Sequence, residues 1–382
     1  MKEKKYIPYG RQCIEDDDIQ AVVDVLQSDY LTTGPKIAEF EKCVADYVGA
    51  KYAVAVSNGT AALHIACLAA GIGPGDEVIT TPITFAASAN CVLYCGGTPV
   101  FADINPDTYN IDPEDIRKKI TDKTKAIIPV HLAGQPCDMD AIHQIAEEYH
   151  LLVIEDGAHA LGAEYKGNKI GALSDMTTFS FHPVKPITTG EGGMVLTNNE
   201  ELYQRLSLFR SHGITRDSDL LLKNDGPWYY EQQFLGYNYR ITDIQCALGI
   251  SQMKKLDRFL ERRRELVQRY NEAFADCPDI VTPYQLEGAE SGWHLYIIQV
   301  KNHDRRTVFE KLREAGIGVN VHYVPVYKHP YYQEHGYANV YCENAEKLYD
   351  HMISLPLYPL LSDEEQDYII DVLKKIVNIS NR

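Results

Sequence analysis

Positive charge is in short supply in this sequence. Against 54 aspartates and glutamates the 382-residue chain carries 37 lysines and arginines, a formal net charge of −17. So acidic a balance argues against nucleic acid and anionic membranes as partners, because a polyanion binds where basic residues cluster. A small anionic ligand is not excluded, but any phosphate site has to be built locally. Long apolar runs are also missing. No stretch reaches the roughly 18 apolar residues of a spanning helix, and the opening MKEKKYIPYG lacks the apolar centre of a secretory leader. Metal-ligand spacing is absent too. The nine cysteines (Cys13, Cys43, Cys67, Cys91, Cys95, Cys137, Cys246, Cys277 and Cys342) are scattered and odd in number, with no CxxC pair and no zinc-like Cys/His pattern. Free thiols in a reducing compartment, the cytoplasm, are the expectation.

What is present is a soluble globular composition, 45% hydrophobic and 24% charged. That is enough for one large core and a smaller one. Residues 16–29 and the segment from Ile37 to Tyr47 show helical apolar spacing, and the Gly34-Pro35 pair forces a turn between them. From about residue 50, short apolar runs alternate with helical stretches. Strands are expected at 53–56, 77–80, 98–102, 126–130, 151–155, 177–181 and 194–197, with helices such as 61–70 and 139–150 among them. Continuous apolar strands suit a sheet buried on both faces, so the fold class is α/β with a mainly parallel sheet. After Gly249 a helix runs to about Phe274, and its charged run Glu261–Glu265 reads as a solvated face. The last hundred residues read as a smaller α+β unit with strands at 295–300 and 319–323 and a helix at 306–315. A final helix opens on a capping box from Ser362 to Glu365. The division expected is 1–249 and 250–382.

Four segments carry chemistry. In SNGTAAL (57–63) a strand gives way to a helix through small residues, so that backbone N–H groups can approach a phosphate; a plain N-cap would look the same. In LLVIEDGAHA (151–160) Asp156 ends a buried strand, where open α/β sheets bind ligands, and can keep a pyridine-type nitrogen protonated; a helix cap is the bland reading. His159 follows by nearly one helical turn, placed for the ring or its 3-oxygen. In FSFHPVKPITTGEGG (179–193) Lys185 lies among apolar and small residues, where desolvation would favour the neutral amine of Schiff-base chemistry, and Ser180 precedes it. GYNYRITDIQ (236–245) flanks Asn238 with two tyrosines before a cation and a helix start, a loop or a binding element.

In this order and spacing, from YLTTGPKIAEFE to VHYVPVY, these segments resemble the DegT/DnrJ/EryC1/StrS sugar aminotransferases. The resemblance implies a pyridoxal 5'-phosphate (PLP)-dependent transferase of fold type I, aspartate aminotransferase-like, with a smaller C-terminal domain. It implies Lys185 as the Schiff-base lysine and proton shuttle, Asp156 on the pyridine nitrogen and Phe85 stacked on the ring. Gly59, Thr60 and Ser180 would hold the cofactor phosphate. His159 fits a position where the family accepts His or Gln, and Asn238 would reach the phosphate of a neighbouring subunit in a homodimer with shared sites. A subset of the family with His at the lysine position are sugar dehydratases; Lys185 favours transamination. Text such as TTPITFAASAN and LFRSHGI is similar to one branch, the transaminases of pseudaminic acid biosynthesis. That branch uses L-glutamate and a UDP-linked 4-keto-6-deoxy-N-acetylhexosamine. By that likeness Tyr9, Tyr30, Leu31, Thr32, His322 and Tyr323 line the sugar-nucleotide site; separately from it, Arg11, Lys36 or Arg240 are local cations available to offset the diphosphate. Two alternatives stay open: another nucleotide-linked 4-keto or 3-keto sugar, and a PLP-holding regulatory protein without turnover.

Overall fold

The computed structural model describes residues 6–379; residues 1–5, part of the opening stretch read above, and 380–382 lie outside it. A seven-stranded sheet forms the larger body, in the order Tyr52–Val56, Gly193–Thr197, Met176–Ser180, Leu152–Asp156, Thr124–Ile128, Glu77–Thr80, Thr98–Phe101. Every strand is parallel to the others except Gly193–Thr197, which runs antiparallel to both its neighbours. That exception has a local cause. Residues 181–192 contain no helix, and a connection without a crossover helix returns the chain as a hairpin. The helix Gly59–Ala69 is buried over nearly its whole length, packed between the sheet and the helices Ala87–Tyr94 and Glu200–Arg210. It reads as apolar all round for that reason.

The chain then enters the helix Leu256–Phe274, which serves two cores. Leu256, Phe259 and Leu260 pack with the main sheet, while Leu266, Val267, Tyr270 and Phe274 pack with the C-terminal one. There Tyr296–Val300 pairs antiparallel with Ile280–Val281 on one side and Met352–Leu355 on the other. The helices Arg305–Glu314 and Asp363–Ile379 accompany it. The capping box forms: Ser362 N–H donates to Glu365 and Glu365 N–H to the Ser362 hydroxyl, both at 3.2 Å.

Two expectations need correction. Residues 319–323 are not a strand; only Asn320 bridges to Ser354, and the segment turns instead into the wall of a cavity. The run 261–265 is not uniformly solvated either. Arg263 is fully buried, donating from Nη1 to the carbonyls of Trp293, His294 and Leu357, and burial lowers its pKa to about 10. Its partners are backbone oxygens that only the tertiary fold brings together.

Candidate active site

Five strands of the main sheet end along one edge, and the segments that follow them line a single cavity of about 820 Å³. Asn58, Gly59 and Thr60 come after Tyr52–Val56, and Thr84, Phe85 and Ser88 after Glu77–Thr80. Val130 follows Thr124–Ile128, and Asp156 and Ser180 end their own strands. Such a carboxyl edge is where open α/β sheets place ligands. Lys185 reaches the cavity from the hairpin loop 181–192. The opposite wall, with His294, Asn320, Val321, His322 and Tyr323, comes from the C-terminal part. Tyr9 is carried in by the N-terminal arm, which is tied to that part by Ile7 N–H to Gly316 O, Gly318 N–H to Ile7 O and Leu357 N–H to Tyr9 O.

The helix at Gly59 opens on Asn58, whose side chain accepts the Ala61 N–H at 2.8 Å. A Cβ at Gly59 would stand 2.9 Å from the Ser180 Cβ, so glycine is what lets the helix start press against Ser180. This turn, with its first-turn N–H groups, Thr60 and Ser180, is a donor set suited to a phosphate. Across the cavity, Asp156 is buried; Oδ2 accepts from Ser88 at 2.6 Å and Oδ1 from Ala158 N–H at 3.1 Å. Ser88 is in turn 2.7 Å from the Thr84 hydroxyl. Burial lowers the pKa of the Lys185 amine to about 8, although the charge of Asp156 pulls it up. A substantial neutral-amine fraction near neutral pH, a buried carboxylate and a phosphate-sized cradle fit PLP.

Three of the four histidines lining this cavity, His159, His294 and His322, are held uncharged. His159 and His294 are held well below the ordinary imidazole range and His322 at about 4, each by burial first and then by Lys185. Their hydrogen bonds fix what each can do. His159 Nδ1 accepts the Ala133 N–H at 3.2 Å, so its proton is on Nε2, 3.2 Å from the Tyr323 hydroxyl. Tyr323, whose pKa burial raises, thus keeps its own proton for the cavity. His322 has no nitrogen to spare. The Asn320 amide, oriented by Val321 N–H on its oxygen, donates to Nε2 at 3.2 Å, and Nδ1 meets Ser354 at 2.8 Å. It offers a ligand only its ring. His294 Nδ1 is buried and unpartnered.

Of the residues singled out in the sequence, Gly59, Thr60, Phe85, Asp156, His159, Ser180, Lys185, Tyr9, His322 and Tyr323 share this cavity. Tyr30, Leu31, Thr32 and Asn238 do not line it and are exposed. Arg11, Lys36 and Arg240 are likewise outside its lining, and Lys36 pairs with Glu39. Sequence reasoning missed Ser88, His294, Asn320 and Glu191. Ser88 was signalled faintly, as a polar residue among the alanines of FAASAN.

The comparisons with known proteins agree with the geometry. The DegT/DnrJ/EryC1/StrS aminotransferase family model matches residues 12–374. Bacillus subtilis SpsC, a spore coat polysaccharide biosynthesis protein, is 44% identical over 383 residues, covering 99% of this chain and 98% of the relative. Helicobacter pylori PseC, an aminotransferase involved in pseudoaminic acid biosynthesis, superposes with a TM-score of 0.92 at 35% identity, covering 98% of this chain and 100% of that one. The putative sugar aminotransferase Spr1654 of Streptococcus pneumoniae, in its PLP form, matches with a TM-score of 0.92 at 35% identity over 98% and 99% of the two chains. Spr1654 has been solved in a pyridoxamine phosphate form as well. With a fold type I architecture and a PLP-fitting cavity, the chain belongs to the DegT/DnrJ/EryC1/StrS aminotransferase family and is a PLP-dependent sugar aminotransferase.

Proposed function

We propose that this enzyme moves the amino group of L-glutamate to C4 of a UDP-linked 4-keto-6-deoxy-N-acetylhexosamine, UDP-2-acetamido-2,6-dideoxy-β-L-arabino-hex-4-ulose. The product would be UDP-4-amino-4,6-dideoxy-N-acetyl-β-L-altrosamine. The observation that carries the reaction type is the pairing of a low-pKa lysine, Lys185, with buried Asp156 across one cavity. The similarity to PseC supports the substrate. PLP supplies, when bound, the electron sink that makes the α-hydrogen of the donor acidic.

The chain's own residues do the rest. Lys185 Nζ takes the proton from the donor's α-carbon and later delivers one to C4 of the sugar. Asp156, fixed by Ser88 and Ala158, holds a proton at the ring nitrogen. Gly59, Thr60 and Ser180 would hold the phosphate, and Phe85 would lie against the ring. Tyr323 donates its hydroxyl proton to a ligand oxygen, steered by His159, while Tyr9 and the His322 ring shape the sugar side. The same reading gives a cytoplasmic homodimer with shared active sites, in which Asn238 serves the cofactor phosphate of a second copy and Tyr30, Leu31 and Thr32 line a sugar-nucleotide site. It divides each chain into a cofactor-binding part, 1–249, and a smaller part, 250–382. Among the described residues, no helix is long and apolar enough to cross a membrane.

The greater identity to SpsC favours a second reading of the substrate: another nucleotide-linked 4-keto or 3-keto deoxysugar. The test is to supply glutamate with 4-keto sugar nucleotides of defined stereochemistry and to determine the product's configuration at C4. Turnover of the β-L-arabino substrate at least tenfold above the others is expected. Preference for a different sugar would move the assignment to the second reading.

A further inference from the structure

The main sheet buries a second carboxylate directly before Asp156. Glu155 is fully enclosed, on the opposite side of the strand Leu152–Asp156. Its Oε2 is 2.7 Å from His131 Nε2, and its Oε1 accepts the Thr177 hydroxyl at 3.0 Å. His131 is also fully buried, and its Nδ1 accepts the Cys137 N–H at 3.0 Å. That nitrogen therefore carries no proton. The ring's one proton is on Nε2, facing Glu155, and the imidazole is uncharged.

The contact thus has the look of an ion pair without its charge balance. Hydrogen bonds from His131 and Thr177 favour the ionised form of Glu155 against the cost of burying it. From the packed elements Glu155 is faced by His131, by Thr177, by Ser174 with His143 behind it, and by the Cys137 thiol. Asp156 is its neighbour in the chain, and Lys185 stands on the Asp156 side. Among the described residues, no lysine or arginine forms an ion pair with Glu155. An uncompensated buried anion is strongly unfavourable, and the same strand meets its other buried positions with Val153 and Ile154. A proton on a ring nitrogen bound at Asp156 would supply the missing positive charge.

We propose that Glu155 is a positioning residue whose charge, left whole by an uncharged His131, helps Asp156 keep a proton on the ring nitrogen of the cofactor; this rests on the PLP reading above. The rival account is mechanical. His131 N–H donates to the Asp156 carbonyl at 3.1 Å and Asp156 N–H to Pro129 O at 2.8 Å, so the pair could serve only to anchor the strand end.

The two accounts separate in a pH titration of the absorbance band of the PLP-loaded protein, with circular dichroism as a check on folding. Glu155→Gln keeps the shape and removes the charge; it should lower the band's midpoint by about one pH unit, as loss of a nearby anion disfavours protonated forms. Asp156→Asn should shift it in the same direction and further. His131→Gln keeps a donor and the Glu155 charge, and should leave the midpoint within about 0.2 unit. An unmoved midpoint in Glu155→Gln beside a shifted Asp156→Asn overturns the proposal, as does an equal shift in His131→Gln. Absence of any band in the unaltered protein would instead sink the PLP reading itself. Should Glu155→Gln fail to fold, carboxyl-13C glutamate labelling of the unaltered holoenzyme decides. Glu155 ionised throughout the band's titration is expected, and a protonated Glu155 overturns the idea.

Discussion

The floor of the cavity and the exposed apolar rim of the molecule are built on opposite terms. On the floor, Asp156, Ser88 and Thr84 are buried and linked by short hydrogen bonds, and Glu155 pairs with His131 behind them, on the other side of the strand. On the rim, Leu222, Trp228 and Leu235 are exposed by 93%, 71% and 77%, and Tyr30, Leu31 and Asn238 are exposed too. The difference teaches that Lys185, Asp156 and the phosphate cradle share one chain's cavity, while Asn238, Tyr30, Leu31 and Thr32 lie exposed outside it.

The largest test of that contrast removes the floor's amine. Lys185→Ala should cut transamination by on the order of 1,000-fold or more, measured as steady-state turnover, because both proton transfers use Nζ. Asp156→Ala should cost on the order of 100-fold in kcat with little change in folding. On the rim, Asn238→Ala should weaken cofactor binding about tenfold, the scale of one lost charge-assisted hydrogen bond. Unchanged affinity there would place that loop outside the site and break the comparison.

Smaller effects concern stability. The pKa of Lys185 is lowered from 10.5 to about 8, so the unfolded chain binds that proton more tightly than the folded one. Between about pH 8 and 10.5 the cofactor-free protein gains stability as pH rises, and below that window the burial penalty is fully present. Lys185→Met should therefore raise the melting temperature of the cofactor-free protein at pH 7 by a few degrees, on the order of 1–3 kcal/mol. An inactive but stabilised variant is the expected signature of a strained site. Asn58→Ala, which deletes the cap at the phosphate cradle, should cost about 1 kcal/mol in a denaturant titration.

How much of this was legible in the sequence follows the same division. The strands were readable as continuous apolar runs because the sheet is buried on both faces, and Asp156, Ser180 and Lys185 were readable because polar residues there interrupt apolar text. The antiparallel direction of the strand Gly193–Thr197 was not. Its own residues carry no directional signal, and only the lack of a helix between 181 and 192 implies the hairpin. Residues 319–323 read as a strand from Val319 and Val321, yet only Asn320 pairs its backbone, with Ser354, and its side chain turns to His322. Arg263 was invisible within a charged run because its acceptors come from residues 293, 294 and 357. His322 looked like a ligand contact, and the loss of both its nitrogens to Asn320 and Ser354 needed three dimensions to see.

One measurement reaches the centre of the account: borohydride reduction of the PLP-loaded protein followed by peptide mapping. The account predicts a yellow protein that bleaches on reduction, with a single phosphopyridoxyl label on the peptide containing Lys185. A label on another lysine, or none at all, would contradict it.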